Sequence, residues 1–170
     1  NYDLIPYWSF MSSRDVSFCD FFWNGDCVFN INDTDIRDHK KPIFYLHGAI
    51  HLKTNLHGDT FKTRATKDMS ISEIIDEGQF FDPPLFISEG KSEIKLRRIR
   101  ENDYLNFCLS SLINSNGSIV VYGHGLDKEY DEHIINALKA SNIRNIAISV
   151  FSRLREKEKL AFTANISNYF

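Results

Sequence analysis

Three short stretches contain residue types that could perform chemistry on a sugar or a phosphate. They are Asn1–Asp3 at the start, His47–Gly48 within "IFYLHGAIHL", and Gly123–Gly125 within "GHGLDKEYD". A histidine with an ordinary pKa of about 6.5 can accept a proton at neutral pH, so His47 is a candidate general base, with Gly48 keeping the space beside it open. Each stretch also has a structural explanation: Asn caps helices, a histidine can be hydrogen-bonded at a strand end, and glycines form tight turns.

The third stretch lies at the place where ligands bind in open α/β sheets. "SIVVYGHG" is a continuous apolar strand of the kind buried on both faces of a parallel sheet, and its glycines come immediately before a predicted helix. Ligands bind beyond the carboxyl ends of such strands, where glycines let backbone amides approach a sugar or phosphate. A tight strand-to-helix turn would use the same glycines.

The C-terminal half gives the clearest prediction of architecture. A helix carrying Ile134, Ala137 and Leu138 on one side follows the glycine loop, and "NIAISVF" then predicts another buried strand. A β-α-β order of this kind is typical of parallel pairing. We therefore predict an α/β fold, a Rossmann-like parallel sheet flanked by helices, as a single domain over residues 1–170.

The N-terminal half alternates short elements. An apolar pattern predicts a helix after Asn1, and "CVFNI" and "IFYLHG" predict strands. "AIHLKT" and "TFKTRAT" flank "NLHGD", which predicts a β-hairpin inserted near residues 43–66, at the edge of the sheet. "SISEIIDEG" predicts a short helix capped by Ser70 or Ser72, and a helical pattern runs from Ser92 until "NSNG" ends it.

Composition narrows the class of protein. The 170 residues suffice for one compact core, and a net charge of -3 gives no general attraction to nucleic acid or anionic membranes. No apolar run approaches the roughly 20 residues needed to cross a bilayer. Three scattered cysteines predict neither a disulfide framework nor a zinc module, and a reducing cytoplasm is the simplest location.

Two further patterns favour ordinary explanations. His47 and His51 are four residues apart, with His57 nearby, but i and i+4 on a strand are separated by about 13 Å, too far for one metal ion unless the hairpin folds His57 back. The basic run "KLRRIR" at residues 95–100 predicts a solvated helix face, with phosphate contact as the alternative. We expect no metal.

Taken together and in this order, the three stretches resemble the sirtuin-like superfamily. A bacterial sirtuin-like family of unknown function is a closer resemblance. Longer segments of the sequence carry it, including "YLHGAIHL", "PLFISEGKSEIKLRRIRENDYL" and "GHGLDKEYDEHI". The resemblance implies an NAD site. It assigns Asn1 to the nicotinamide ribose or a water, Asp3 to the support of that arrangement, and His47 to the role of base. Gly123 and Gly125 would border the adenosine-side ribose, and Gly48 and His124 would complete the cofactor site.

The resemblance also implies limits. Sirtuin deacylases carry a four-cysteine zinc module after the histidine-glycine pair, which this sequence lacks, so deacylation is not expected. The glycine-rich loop that binds pyrophosphate precedes "NYD" in the superfamily, so we expect the chain to be the C-terminal portion of a larger domain, with the upstream segment as a partner and a homo-oligomer possible. The expected function is an NAD glycohydrolase that acts in anti-phage defence. The alternative is a non-catalytic nucleotide-binding or sensing module.

Overall fold

The computed structural model describes residues 5–12, 18–36, 40–64, 70, 73 and 83–170. The chain forms two compact units. Unit 1 comprises Asn1–Ser88 with Arg98–Cys108, and unit 2 comprises Glu89–Arg97 with Leu109–Phe170. Within the described ranges, no helix is long and apolar enough to span a membrane. The prediction of a single domain over residues 1–170 stays a prediction.

The described elements are five helices and seven strands. The helices are α1 (Ile5–Ser12), α2 (Ser92–Arg100), α3 (Asp103–Ile113), α4 (Lys128–Ala140) and α5 (Glu156–Ser167). The strands are β1 (Phe18–Cys19), β2 (Lys41–Pro42), β3 (Gly48–Thr54), β4 (Thr60–Lys62), β5 (Pro84–Phe86), β6 (Asn116–Val121) and β7 (Asn142–Ile148). This is a mixed α/β protein with small parallel and antiparallel sheets flanked by helices. The α/β part of the predicted fold class is therefore confirmed. Helix α5 has no counterpart in the sequence prediction.

Unit 1 contains a three-stranded sheet in the order β4-β3-β5 and a two-stranded parallel pair of β1 with β2. Strands β3 and β4 are antiparallel, with Leu52 opposite Lys62 and Thr54 opposite Thr60. The turn between them holds Gly58 at φ +90°, a conformation that glycine adopts without a steric penalty. The predicted hairpin around "NLHGD" is therefore confirmed.

Aromatic side chains form the core of unit 1. Phe22 is fully buried, and its ring centroid lies 4.9 Å from that of Tyr104, which α3 contributes. Phe29 packs edge-on against Tyr104 at 5.1 Å, and Phe21 packs edge-on against Phe107 at 4.8 Å. Buried aromatic pairs in this geometry add about 0.5–1.5 kcal/mol each beyond the burial of their area.

The predicted strand over "IFYLHG" is wrong. Strand β2 ends at Pro42, and the chain then turns, with the Gly48 N–H donating to the Tyr45 carbonyl at 2.8 Å. The Tyr45 N–H donates to the Tyr104 hydroxyl at 3.1 Å rather than to a neighbouring strand. The Phe44 ring packs against Phe21, with 5.0 Å between centroids, and the next strand begins only at Gly48.

Unit 2 is built on a parallel pair, β6 with β7, that runs from Asn116 opposite Asn142 to Val121 opposite Ile148, with a register shift between Gly117 and Ser118. Helix α4 connects the two strands and buries its apolar side, including Ile134, Ala137 and Leu138. The predicted β-α-β order and its parallel pairing are confirmed.

Burial of β6 differs from the expectation of a strand covered on both faces. Val120 is 73% exposed, and no residue of β6 is buried. The exposure of β6 is explained by how few strands lie beside it. Within the described part of unit 2, β6 pairs with β7 alone, so a continuous apolar run here does not indicate a central strand.

The structure has two helices where the pattern from Ser92 predicts one. Helix α2 ends at Arg100, and α3 begins at Asp103. Asn102 stands at the N-cap of α3, where its side-chain oxygen accepts the Leu105 N–H at 3.0 Å, as Asn commonly does. The Asn102 side-chain amide also donates to Thr60 Oγ1 at 2.9 Å, which connects the junction of α2 and α3 to β4.

Of the two predicted caps, Ser70 or Ser72, the structure shows the cap at Ser70. The Ser70 hydroxyl accepts the Glu73 N–H at 3.3 Å, and Glu73 Oε2 accepts the Ser70 N–H at 2.7 Å. This reciprocal pair is the capping box of a helix start. The end of the predicted helix over "SISEIIDEG" lies outside the described residues.

Candidate functional site

His47 and Gly48 occupy a turn that leads into β3. The His47 carbonyl accepts the Ile87 N–H at 2.8 Å, which joins this turn to the chain just after β5. Gly48 has φ +77° and pairs directly with Phe86 of β5. The backbone groups of His47 and Gly48 therefore hold β5 beside β3.

Gly48 has a steric reason to be glycine. A Cβ at this position would lie 1.9 Å from the Leu85 carbonyl oxygen, far inside any allowed contact. The close approach of β5 accounts for the glycine without reference to a ligand. The cofactor-binding role of Gly48 and the role of His47 as base stay predictions.

Asn1 and Asp3, the other two predicted catalytic residues, lie outside the described residues. His47 and Gly48 belong to unit 1, whereas Gly123, His124 and Gly125 belong to unit 2. The geometry of each group is therefore described within its own unit.

The glycine loop of unit 2 lies at the carboxyl end of the parallel strands. Gly123 has φ +68°, and its N–H donates to Ser149 Oγ at 3.1 Å. The Ser149 N–H in turn donates to the Val121 carbonyl at 2.9 Å, so the loop is fastened to the end of β7. Gly123 and Gly125 are exposed, and a Cβ on either would meet no atom within 4 Å.

The His124 imidazole is oriented by its own loop. Its Nδ1 accepts the Leu126 N–H at 3.1 Å, so in this arrangement the proton of the neutral ring is on Nε2. Leu126 adopts φ +47° with its side chain 1% exposed, which anchors the loop. Asp131 Oδ2 lies 3.9 Å from the same Nδ1.

Behind the loop, α2 and α4 are joined by two polar contacts. Lys95 Nζ lies 3.5 Å from Asp131 Oδ1, and both side chains are largely buried. The Ser92 hydroxyl lies 2.8 Å from His133 Nδ1 and accepts the His133 backbone N–H at 2.8 Å. Burial lowers the pKa of His133 to about 4, so the imidazole is neutral at pH 7 and acts as a hydrogen-bonding group.

The start of α4 carries three carboxylates. The Asp127 carboxylate accepts the Glu129 N–H at 2.8 Å and caps the helix, and Glu129 and Asp131 follow in the first turn. These carboxylates complement the helix dipole. Three lysines offset their charge: Lys128 lies in the same turn, Lys91 Nζ is 3.0 Å from Glu129 Oε1, and Lys95 Nζ is 3.5 Å from Asp131 Oδ1.

A second cluster of titratable groups is buried in unit 1 around His51. The imidazole is fully buried, with the Tyr7 ring at 4.7 Å and the Tyr45 ring at 5.0 Å between centroids. Neither ring nitrogen of His51, nor the Tyr45 hydroxyl, has a hydrogen-bond partner among the described residues. Burial first, and the Lys62 cation second, lower the pKa of His51 to about 4.

Next to His51 lies a buried ion pair. Lys62 Nζ is 2.5 Å from Asp20 Oδ2, and the two side chains are 6% and 9% exposed. Asp20 Oδ1 also accepts the Phe22 N–H at 3.2 Å. Lys62 Nζ lies 5.7 Å from the centroid of the Tyr7 ring and 5.9 Å from that of Phe22, so aromatic faces surround the cation.

The described residues around His51 do not support the alternative of a metal site. Within the described part of the chain, no three His, Cys, Asp or Glu side chains are grouped to hold an ion. His51 is fully buried and His57 is an exposed residue of the hairpin turn. The three cysteines, all of which the structure describes, are free thiols. Burial raises the pKa of the Cys108 thiol to about 12, which makes it unreactive at neutral pH.

Comparison with known families identifies the family of this chain. A family model described as a domain of unknown function (DUF4917) matches residues 1–165. The chain belongs to this family. No curated protein and no solved structure matches the chain.

Sequence reasoning missed the buried Asp20–Lys62 pair of this DUF4917 domain. The two residues are 42 positions apart, and each occupies an ordinary solvent-facing position by sequence pattern. Strand alternation also failed for β3, because His51, Leu52 and Lys53 are all buried in succession.

Proposed function

We propose that this domain binds NAD and releases nicotinamide from it by hydrolysis. The observation that carries the proposal is the glycine loop, Gly123–Gly125, at the carboxyl end of the parallel β6–β7 pair. Ligands of Rossmann-like sheets bind at this position. We propose that unit 2 is part of such a sheet, and that the loop borders the adenosine-side ribose.

The reaction needs a water, a base and a site that limits other water. The bond between the nicotinamide nitrogen and the ribose C1′ breaks, and its electron pair stays on nicotinamide, which leaves neutral. A water oxygen bonds to the oxocarbenium-like C1′, and the released proton passes to His47, giving ADP-ribose. Positioning and general-base catalysis supply the rate enhancement without a strong nucleophile. Asn1 would orient the water, with Asp3 supporting it.

The test is nicotinamide release by the full-length protein, measured by chromatography at saturating NAD. We expect His47→Ala to lower turnover by about a hundredfold or more, the usual contribution of a general base. His57→Ala is the matched control, since His57 is exposed in the hairpin turn, and it should match the wild type. Unchanged turnover in His47→Ala removes His47 as base, and absence of NAD binding to the wild type removes the function.

One observation favours a second candidate, a non-catalytic nucleotide-binding or sensing module. The contact between Gly48 and Leu85 explains the histidine-glycine pair as a strand junction. Under this alternative, the full-length protein binds NAD with a measurable affinity but releases no nicotinamide, and His47→Ala leaves that affinity unchanged. Calorimetry beside the turnover assay separates the two candidates.

We further propose that the protein works in a reducing cytoplasm, as an anti-phage defence effector in the hydrolase case. The three cysteines are free thiols, the usual state in a reducing compartment, and this supports the proposal. Growth of cells that overproduce the full-length protein, with NAD measured in extracts, tests the effector role: a stable NAD level excludes it.

A further inference from the structure

His51 of β3 lies between two tyrosine rings that come from different segments of unit 1. The Tyr7 ring of α1 is 4.7 Å from the imidazole between centroids, with 32° between the planes. The Tyr45 ring is 5.0 Å away and packs edge-on at 84°. The imidazole is fully buried, so one side chain of β3 is the contact that α1 shares with the turn from Tyr45 to Gly48.

Both tyrosines lie close in the chain to the residues that we propose to act on NAD. Tyr7 belongs to the helix that follows Asn1–Asp3, and Tyr45 is two residues before His47. The Gly48 N–H donates to the Tyr45 carbonyl at 2.8 Å, which closes the turn around His47. A displacement of the Tyr45 ring therefore moves the backbone that carries His47.

The imidazole makes these contacts through its ring. Neither ring nitrogen of His51 has a hydrogen-bond partner among the described residues. Tilted and edge-on aromatic pairs each stabilise a contact by a factor of about 2 to 12. Phenylalanine has a ring of similar size and can keep both contacts, whereas alanine keeps neither.

Helix α1 has other contacts that remain when the imidazole is removed. Its Phe10 ring packs against the Phe18 ring at 4.6 Å, and Lys62 Nζ lies 5.7 Å from the centroid of the Tyr7 ring. The ion pair with Asp20 holds Lys62 in place. Loss of the imidazole should therefore loosen α1 without unfolding unit 1.

We propose that His51 is a positioning residue that couples α1 to the turn of His47, so that Asn1, Asp3 and His47 act on the same ribose. This inference rests on the proposed function and adds a residue that acts on the reaction only through others. The role is indirect because the fully buried imidazole cannot reach a substrate.

The first test measures nicotinamide release by the full-length protein at varied NAD concentration. We expect His51→Ala to lower kcat by about 10- to 100-fold with KM unchanged, because a small displacement of the reacting groups slows the chemical step. His51→Phe should retain most of kcat. Leu52→Ala is the matched control: Leu52 is equally buried, but as the next residue of β3 it faces the opposite side of the strand, so kcat should match the wild type.

Tyr7→Ala removes the same contact from the side of α1 and provides a second variant if His51→Ala does not fold. It should also lower kcat, since α1 is then uncoupled from β3. The double variant Tyr7→Ala/His51→Ala should lose no more than His51→Ala alone, because the contact is already absent. Circular dichroism verifies the folding of each variant.

Hydrogen exchange followed by mass spectrometry measures the coupling without reference to catalysis. In His51→Ala, the amides of α1 and those of residues 43–47 should both exchange about 2- to 12-fold faster, the factor for one lost aromatic contact. In His51→Phe, neither segment should change.

The pH profile separates positioning from proton transfer. The kcat of the wild type and that of His51→Phe should fall at the same acid pH, because His47 is the proposed base in both proteins. If the acid limb disappears in His51→Phe, His51 itself takes the proton and the inference is wrong.

The remaining outcomes are distinct. If the wild type releases no nicotinamide, the proposed function and the positioning role are both excluded. If the wild type is active but His51→Ala has the kcat of Leu52→Ala, or if only one of the two segments exchanges faster, His51 does not couple them and the proposed function stands. If His51→Phe is as slow as His51→Ala, the ring contacts are not the cause, and the inference is overturned.

Discussion

Leu85 determines the residue at position 48. Its carbonyl oxygen lies 1.9 Å from where a Cβ of residue 48 would be, and the backbone there has φ +77°. The close approach arises because Gly48 pairs with Phe86 of the antiparallel strand β5, and the positive φ occurs where the turn from Tyr45 enters β3. The glycine that follows His47 is thus required by strand pairing, whatever His47 does.

Gly48→Ala should destabilise unit 1 strongly. A non-glycine residue at positive φ costs about 1–3 kcal/mol, and the Cβ must in addition displace the Leu85 backbone. We expect the total loss of unfolding free energy to exceed this range. Urea unfolding followed by tryptophan fluorescence is suited to the measurement, because both tryptophans, Trp8 and Trp23, lie in unit 1.

Gly58→Ala is the matched control for that experiment. Gly58 also has a positive φ, +90°, but a Cβ there meets no atom within 4 Å. Its cost should therefore be the conformational part alone. Equal losses for Gly48→Ala and Gly58→Ala would contradict the close contact with Leu85.

Acidification should destabilise unit 1 through His51. Burial lowers the folded-state pKa of His51 from 6.5 to about 4, so the unfolded chain takes up the proton first. The stabilisation is complete above pH 6.5 and is lost as the pH falls towards 4, an effect of about 3 kcal/mol for a fully buried group. Urea midpoints by tryptophan fluorescence at pH 7, 5.5 and 4.5 provide the measurement.

His51→Leu, which cannot titrate, should flatten this dependence, while His57→Leu in the exposed turn should leave it intact. His133 shifts in the same direction but belongs to unit 2, where there is no tryptophan. A midpoint that falls as steeply in His51→Leu as in the wild type would mean that other groups cause the loss.

Breaking the buried pair of Asp20 and Lys62 should cost more than removing it. Lys62→Met leaves a carboxylate uncompensated, and Asp20→Asn leaves an ammonium uncompensated, each in a site less than 10% exposed. A loss of about 3–5 kcal/mol is usual for such single changes. Asn at position 20 can still accept the Phe22 N–H, so the loss isolates the charge.

The double variant Asp20→Asn/Lys62→Met should recover a large part of either loss, because no charge is left buried. Lys91→Met, which removes the exposed ion pair with Glu129, provides a reference whose stability should stay close to that of the wild type, because solvent screens this pair. Additive losses in the double variant would show that the two charges do not interact. Thermal unfolding by circular dichroism measures all four proteins.

Local chemistry explains why parts of the fold could be predicted. The hairpin around Gly58, the cap at Ser70 and the order β6-α4-β7 follow from turn residues and from apolar spacing along one segment. The break at Asn102 was also encoded locally, in a residue that favours N-caps, but the apolar spacing on both sides concealed it.

Spacing alone could not predict the strand boundary at Gly48. The apolar residues from Ile43 to Leu46 suit a strand, yet Tyr45 bonds to Tyr104, which is 59 positions away. Whether a backbone N–H pairs with a strand or a side chain depends on which groups folding brings within about 3 Å.

The sequence by itself determined the mixed α/β class, the parallel pairing in unit 2 and the glycine loop after β6. These features depend on neighbours within a few residues or on one repeating apolar pattern. Only the tertiary structure decided that β5 forces glycine at position 48, that His51 is buried without a described partner, and that Asp20 meets Lys62. Such contacts join distant segments, and desolvation acts on a side chain only after the rest of the chain has closed around it.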